Sequence, residues 1–175
     1  MANSWKPTTP EIGIQDIETT DTTQNHSLLK TVRAKHSTYG EAEFIYLKGV
    51  ASTVIGALVT YDAVGQTALV VANATSDNYP GVDVAVAMSA NLATGYGWYM
   101  RQGYAPAVVK GATVATGVNL FTSSVAGAVQ VATVSGRYIE GIRSYSSVNS
   151  AATTYDTVTA IVTFPRINPK GGTPA

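Results

Sequence analysis

From Leu28 to Pro165 apolar residues recur with a period of two or in short runs, and Gly, Asn, Asp or Pro interrupts them every few positions. Successive side chains of an extended strand point to opposite faces, so this period builds strands, whereas a helix needs a repeat of 3.6. Strands are read at 28–34, 41–49, 53–61, 68–72, 82–89, 97–109, 118–123, 128–134, 138–145 and 156–165. Turn residues separate them at Val64-Gly65, Asn78 to Gly81, Lys110-Gly111, Ala126-Gly127 and Ser135-Gly136. No stretch carries the caps and periodicity of a sustained helix, and ATVATG (112–117) has room for one short turn. About ten short strands without intervening helices predict an all-β domain, an antiparallel sandwich or barrel.

Two strands are informative in detail. In 156–165 the alternation puts Val158, Ala160, Val162 and Phe164 on one face and threonines on the other, the pattern of a half-buried strand. The stretch GYGWYMRQGYAPAVVKGATVATG (95–117) puts Tyr96, Trp98, Met100 and Gln102 on a core face. Gly95, Gly97, Tyr99, Arg101 and Gly103 then share the opposite face, where alternate glycines leave a trough able to accept another backbone. Pro106 removes a ladder donor and predicts an edge or crossover position. A phosphate loop would need its glycines gathered in one strand-to-helix turn and Lys followed by Ser or Thr; here Lys110 precedes Gly111.

Residues 1–28 differ from the rest. Pro7, Pro10 and scattered threonines surround a few large apolar residues, which reads as an extended N-terminal arm ahead of a β domain at 29–166 and a flexible tail at 167–175. Trp5, Ile12, Ile14 and Ile17 are costly to leave in water, so the arm is expected to dock on a surface, with Ile12, Ile14 and Ile17 as partner-binding residues. Charged residues make up only 13% of the chain against a usual level of about 25%. An exterior so poor in charge suits a protein whose faces are covered by neighbours.

The same inventory argues against several function classes. A formal net charge of +0 gives no footprint for nucleic acid. No apolar run approaches the length of a membrane helix, and the first twenty residues lack the apolar core of a secretory signal. Without cysteine there is no thiol nucleophile, disulfide or sulfur-ligated zinc. His26 and His36 are the two histidines, and no carboxylate occurs between Val84 and Ile139, so no catalytic constellation, cofactor or metal site is read. His36 and Asp62 could join one of many serines, but no nucleophile elbow accompanies them. Asp77 and Asp83 lack calcium-loop spacing and read as turn chemistry, and Glu41 and Glu43 read as solvated partners of Lys30, Arg33 or Lys35. Tyr96, Trp98 and Tyr99 offer a minor alternative, an aromatic face stacking sugars.

GEAEFIYLKGVASTVIGALVTYD (40–62), VAVAMSANLATGYGWYMRQGYAPAVV (84–109) and the later VAGAVQVA (125–132) resemble, in order and character, the head decoration or cement proteins of tailed bacteriophages. The resemblance spans about residues 30–165. It implies a β-tulip-like subunit, a homo-oligomer with the trimer favoured, made in the host bacterium and seated on the capsid exterior against the major capsid protein. Another virion part, at the head-to-tail junction or in the tail, is the nearest alternative. Tyr99 and Arg101, beside the glycine trough, are the further expected contact residues.

Overall fold

The computed structural model describes residues 5–8, 15–71, 82–90, 93–110, 113–131, 138–149 and 155–167. Every regular element among them is a strand: β1 (Trp5–Pro7), β2 (Thr20–Asp21), β3 (Thr31–His36), β4 (Gly40–Lys48), β5 (Leu58–Tyr61), β6 (Thr67–Leu69) and β7 (Val84–Ala87) in the first half. The second half contributes β8 (Tyr96–Lys110), β9 (Thr113–Val114), β10 (Asn119–Thr122), β11 (Val129–Gln130), β12 (Tyr138–Ser144), β13 (Val148–Asn149) and β14 (Tyr155–Ile167). All ten runs read from the sequence contain a strand. The four additions, β1, β2, β9 and β13, are only two or three residues long, too short for a period to register. One of them, β9, occupies the place where a turn was expected.

Twelve strands form one sheet, and β9 and β13 form a separate pair. β8 is its spine. Its first half pairs antiparallel with β4 on one side and with β2 and β7 on the other. Its second half pairs along its whole length with β14, from Tyr155 opposite Lys110 to Thr163 opposite Gln102. β14 continues through β12, β10 and β11, and β11 returns to β8 at Val129 opposite Val109, so these five strands close a ring. A second ring runs β4, β8, β7, β5, β6 and closes where Lys48 bridges Gln66. The sheet thus behaves as two small barrel-like closures sharing one strand; closure removes edges within each ring, while β3 and β1 branch from β4 and leave β1 as an edge.

This arrangement corrects in part the reading of 95–117 as edge-lying. β8 has strand partners on both sides over its first half and again at Val109, whereas Pro106, opposite Thr159, lies in the part between, where β14 is the one paired strand and β8 crosses from one ring to the other, as its missing donor led one to expect. Both faces of its first half are buried. Trp98 and Met100 join the larger core cluster with Phe44, Tyr46, Leu58 and Val86. Tyr99 joins a smaller cluster with Ile45, Leu47, Val59, Ala85 and Ala87 inside the second ring.

Alternation alone fails at one point in β8. Glu43 pairs with Gln102 and Phe44 with Met100, so Arg101 is an extra residue, a bulge that shifts parity. Before it the even residues Trp98 and Met100 face the large core; after it the odd residues Ala105, Ala107 and Val109 do. Gln102, expected on the core face, is exposed for that reason. Gly103 sits just beyond at φ 126°, and a Cβ there would lie 2.6 Å from the Ala42 Cβ. The glycine trough at this point is filled by the chain's own β4. A second irregularity in β14, opposite Gly141, turns Phe164 outward at φ 44° and 44% exposure, although alternation had placed it in the core.

The N-terminal segment is also corrected over its described part. β1 pairs with β3, and Trp5 is buried against Phe44. Ile17 is fully buried in the main core. Gln15 fastens this segment: the Tyr46 hydroxyl donates to its Oε1 at 3.0 Å, the Trp98 indole to its carbonyl at 3.1 Å, and its own Nε2 to the carbonyls of Thr19 and Tyr96. A buried amide with its polar atoms satisfied orders the strands it joins. Ile12 and Ile14 lie outside the described residues, as do Asp77, Asn78 and all of the tail except Ile167, which ends β14.

Candidate functional site

The expected contact residues do not gather. Ile17 and Tyr99 are both fully buried within the chain and present no surface. Arg101 is half-buried at the bulge, its guanidinium 5.2 Å from the centre of the Phe164 ring. Trp98 is likewise buried, its indole N–H spent on Gln15, so the sugar-stacking face formed with Tyr96 and Tyr99 does not exist. Asp62 accepts the backbone N–H groups of Val64 and Gln66 and serves as turn chemistry in the β5–β6 hairpin. Arg33 and Glu43 are cross-strand partners at 3.4 Å, with the Arg33 side chain 67% exposed, a pair of small energetic weight.

What the fold does bring together is a groove of about 590 Å³. It runs between the N-terminal segment, the β3–β4 turn, the middle of β8 and the start of β14. Trp5, His36, Tyr39 and Tyr104 are among its lining residues. Their rings follow one another at 5.0, 4.8 and 6.0 Å between centroids, and Tyr145 extends the row 4.9 Å beyond Tyr104. The row exists because the β3–β4 hairpin carries His36 and Tyr39 to the bend where β8 passes its bulge. Nδ1 of His36 accepts the backbone N–H groups of Thr38 and Tyr39, which holds the hairpin tip in place.

Two carboxylates line the groove from the N-terminal segment. Asp16 accepts the backbone N–H of Glu18 at 3.0 Å, and its carbonyl accepts the N–H and hydroxyl of Thr19, so one tight turn presents Asp16 and Glu18 together. Ile55, Met88, Ala105 and Pro106 supply apolar lining, with hydroxyls from Thr157 and Thr159. Ile55 is 52% exposed and Tyr145 53%, so the apolar character continues onto the open surface. Sequence reading missed this constellation because its rings come from positions 39, 104 and 145, and no local spacing links them.

Among the described residues, no group of three or more His, Asp or Glu is placed to hold a metal ion, and no helix is long and apolar enough to cross a membrane. Two tyrosines have phenols perturbed upward. Burial raises Tyr46 foremost, against the bond from Asn25, with Asp21 and Tyr96 adding to the rise. Burial likewise dominates at Tyr61, whose enclosed hydroxyl lies near the Asp83 carboxylate without a hydrogen bond of normal length among the described residues; Arg101 opposes the rise and Asp83 adds to it. Asp83 itself accepts from Arg166 at 2.7 Å, tying the start of β7 to the end of β14. No family model, no curated protein and no solved structure matches the chain.

Proposed function

We propose that this protein decorates the head of a tailed bacteriophage, binding the outside of the assembled capsid shell and stabilising it. The observation that supports this reading best is the surface. With only 13% charged residues, the chain leaves Tyr39, Ile55, Val64 and Tyr145 between 38% and 69% exposed. Tyr39 and Ile55 line the groove and Tyr145 adjoins it through Tyr104, and exposed apolar side chains grouped in this way on a weakly charged exterior suit a face that another protein covers. The all-β fold is of the class that the sequence resemblance to cement proteins implies.

Such a subunit acts by mass action. A protein that binds the assembled shell alone stabilises it by about 2.7 kcal/mol per site when its free concentration is 100 times its dissociation constant. The partners are the major capsid protein and further copies of the chain, with a trimer as the proposed oligomer. A contribution from the N-terminal segment to these contacts falls to Ile12 and Ile14, because Ile17 is committed to the chain's own core.

Cosedimentation with capsid shells, before and after expansion, tests the reading. Expanded shells should carry the protein down, and Ile55→Lys or Tyr145→Glu should weaken that binding without changing the melting temperature. Absence of binding to either shell would overturn the proposal. Density at the neck or tail in a virion reconstruction would favour the head-to-tail alternative instead.

A further inference from the structure

We propose that the groove between the N-terminal segment and β8 is a binding site for an organic ammonium ion, a cation that carries apolar substituents. This inference does not rest on the capsid reading, although Tyr39 and Ile55 serve in both, and it concerns a small ligand. The groove's volume of about 590 Å³ lies within the range of small-molecule sites, roughly 300–1,000 Å³.

Three features of the lining select the ligand's chemistry. The first is the aromatic row. Tyr39 and Tyr104 are near-parallel, 27° apart, with His36 beside Tyr39. Ring faces carry negative potential and attract cations, most of all cations stripped of water. The second is charge: Asp16 and Glu18 stand in one turn of the lining, and no Lys or Arg lines the groove among the described residues. Anions are therefore disfavoured, and a positive charge is doubly favoured, by carboxylates and by rings.

The third feature separates an organic cation from a metal ion. Calcium or magnesium needs a shell of oxygen ligands, six or so. Here the two carboxylates are accompanied by Ile55, Met88, Ala105 and Pro106, which cannot replace a hydration shell. Methyl or methylene groups attached to nitrogen can lie against those side chains while the charge faces the acids. A neutral sugar could use the rings but would gain nothing from the net negative charge.

The test is calorimetric titration of the intact chain with choline chloride, and in parallel with 3,3-dimethylbutan-1-ol, which has the same shape without the charge. Saturable choline binding at least about tenfold tighter than that of the neutral isostere is expected, a ratio worth about 1.4 kcal/mol. Asp16→Asn with Glu18→Gln should weaken choline by about tenfold and leave the isostere unchanged, because Asn keeps the acceptor oxygen of the turn. Equal affinity for the two compounds, or no saturable binding at tens of millimolar, would overturn the proposal. So would binding of methyl glucoside in place of choline, which would make the groove a sugar site. The isostere comparison uses the unaltered protein, so it decides the matter even if a variant fails to fold.

Discussion

Replacing Ile17 by Ala separates a docked N-terminal segment from a free arm more cleanly than any truncation. Ile17 has no exposed surface and lies in the cluster that includes Trp5, Phe44 and Trp98. The substitution removes three methylene-sized groups at about 0.8 kcal/mol each, so the transfer part is near 2.4 kcal/mol. A residual cavity adds about 24 cal/mol per Å³. The neighbouring rings are large and stiff and collapse poorly, so the whole cost is set at about 3–4 kcal/mol, inside the range of about 2–5 for such changes. For a chain of this length that lowers the melting temperature by about 6–16 °C. Urea unfolding followed by tryptophan fluorescence reads it directly, because Trp5 and Trp98 share the cluster. Ile55→Ala, at a residue 52% exposed, is the control and should stay within about 0.5 kcal/mol. If Ile17→Ala matches the control with an unchanged urea slope, residues 15–17 lie outside the cooperative unit and the docking argument fails.

Other outcomes follow from the same packing. Gly103→Ala sets a side chain at φ 126° with its Cβ 2.6 Å from Ala42, and should cost about 2–5 kcal/mol in chemical denaturation; a change under 1 kcal/mol would mean that the β8 bulge relaxes freely. Tyr46→Phe leaves Gln15 Oε1 buried without its donor and should cost about 1–3 kcal/mol, measured as a shift of the urea midpoint at pH 7. Both perturbed tyrosines have folded pKa values raised above the unfolded value of 10.0. The unfolded chain therefore loses these protons first, and stability present below about pH 10 falls as pH climbs through the folded values. Tyr61→Phe removes an enclosed hydroxyl that makes no hydrogen bond of normal length among the described residues, so it should be near neutral at pH 8 and flatten the alkaline fall; an unaltered pH profile would refute the assignment.

The strands were legible because their signal is local. A run such as EFIYLK or VAVA carries its own period or apolar density, and glycine or proline marks its ends, so every run read from the sequence found its strand. The ion partnership of Arg33 with Glu43 was legible for the same reason, since a hairpin sets its own register. Low charge likewise implies an exterior finished with threonine, serine, asparagine, glycine and alanine.

Faces and sites were decided by contacts distant along the chain. Tyr99 reads as an outward residue until β5 and β7 cover the second face of β8, and Ile17 reads as an arm residue until Gln15 bonds to Tyr46 and Trp98. Parity in β8 and β14 changes at bulges defined by a partner strand's register, which no single strand's sequence records. The groove depends on the same long-range pairing, because a ring at position 39 meets rings at 104 and 145 only after the spine strand bends and the N-terminal turn supplies its two acids. Periodicity is a property of neighbours in sequence; burial and recognition belong to neighbours in space, and those the sheet had to assemble.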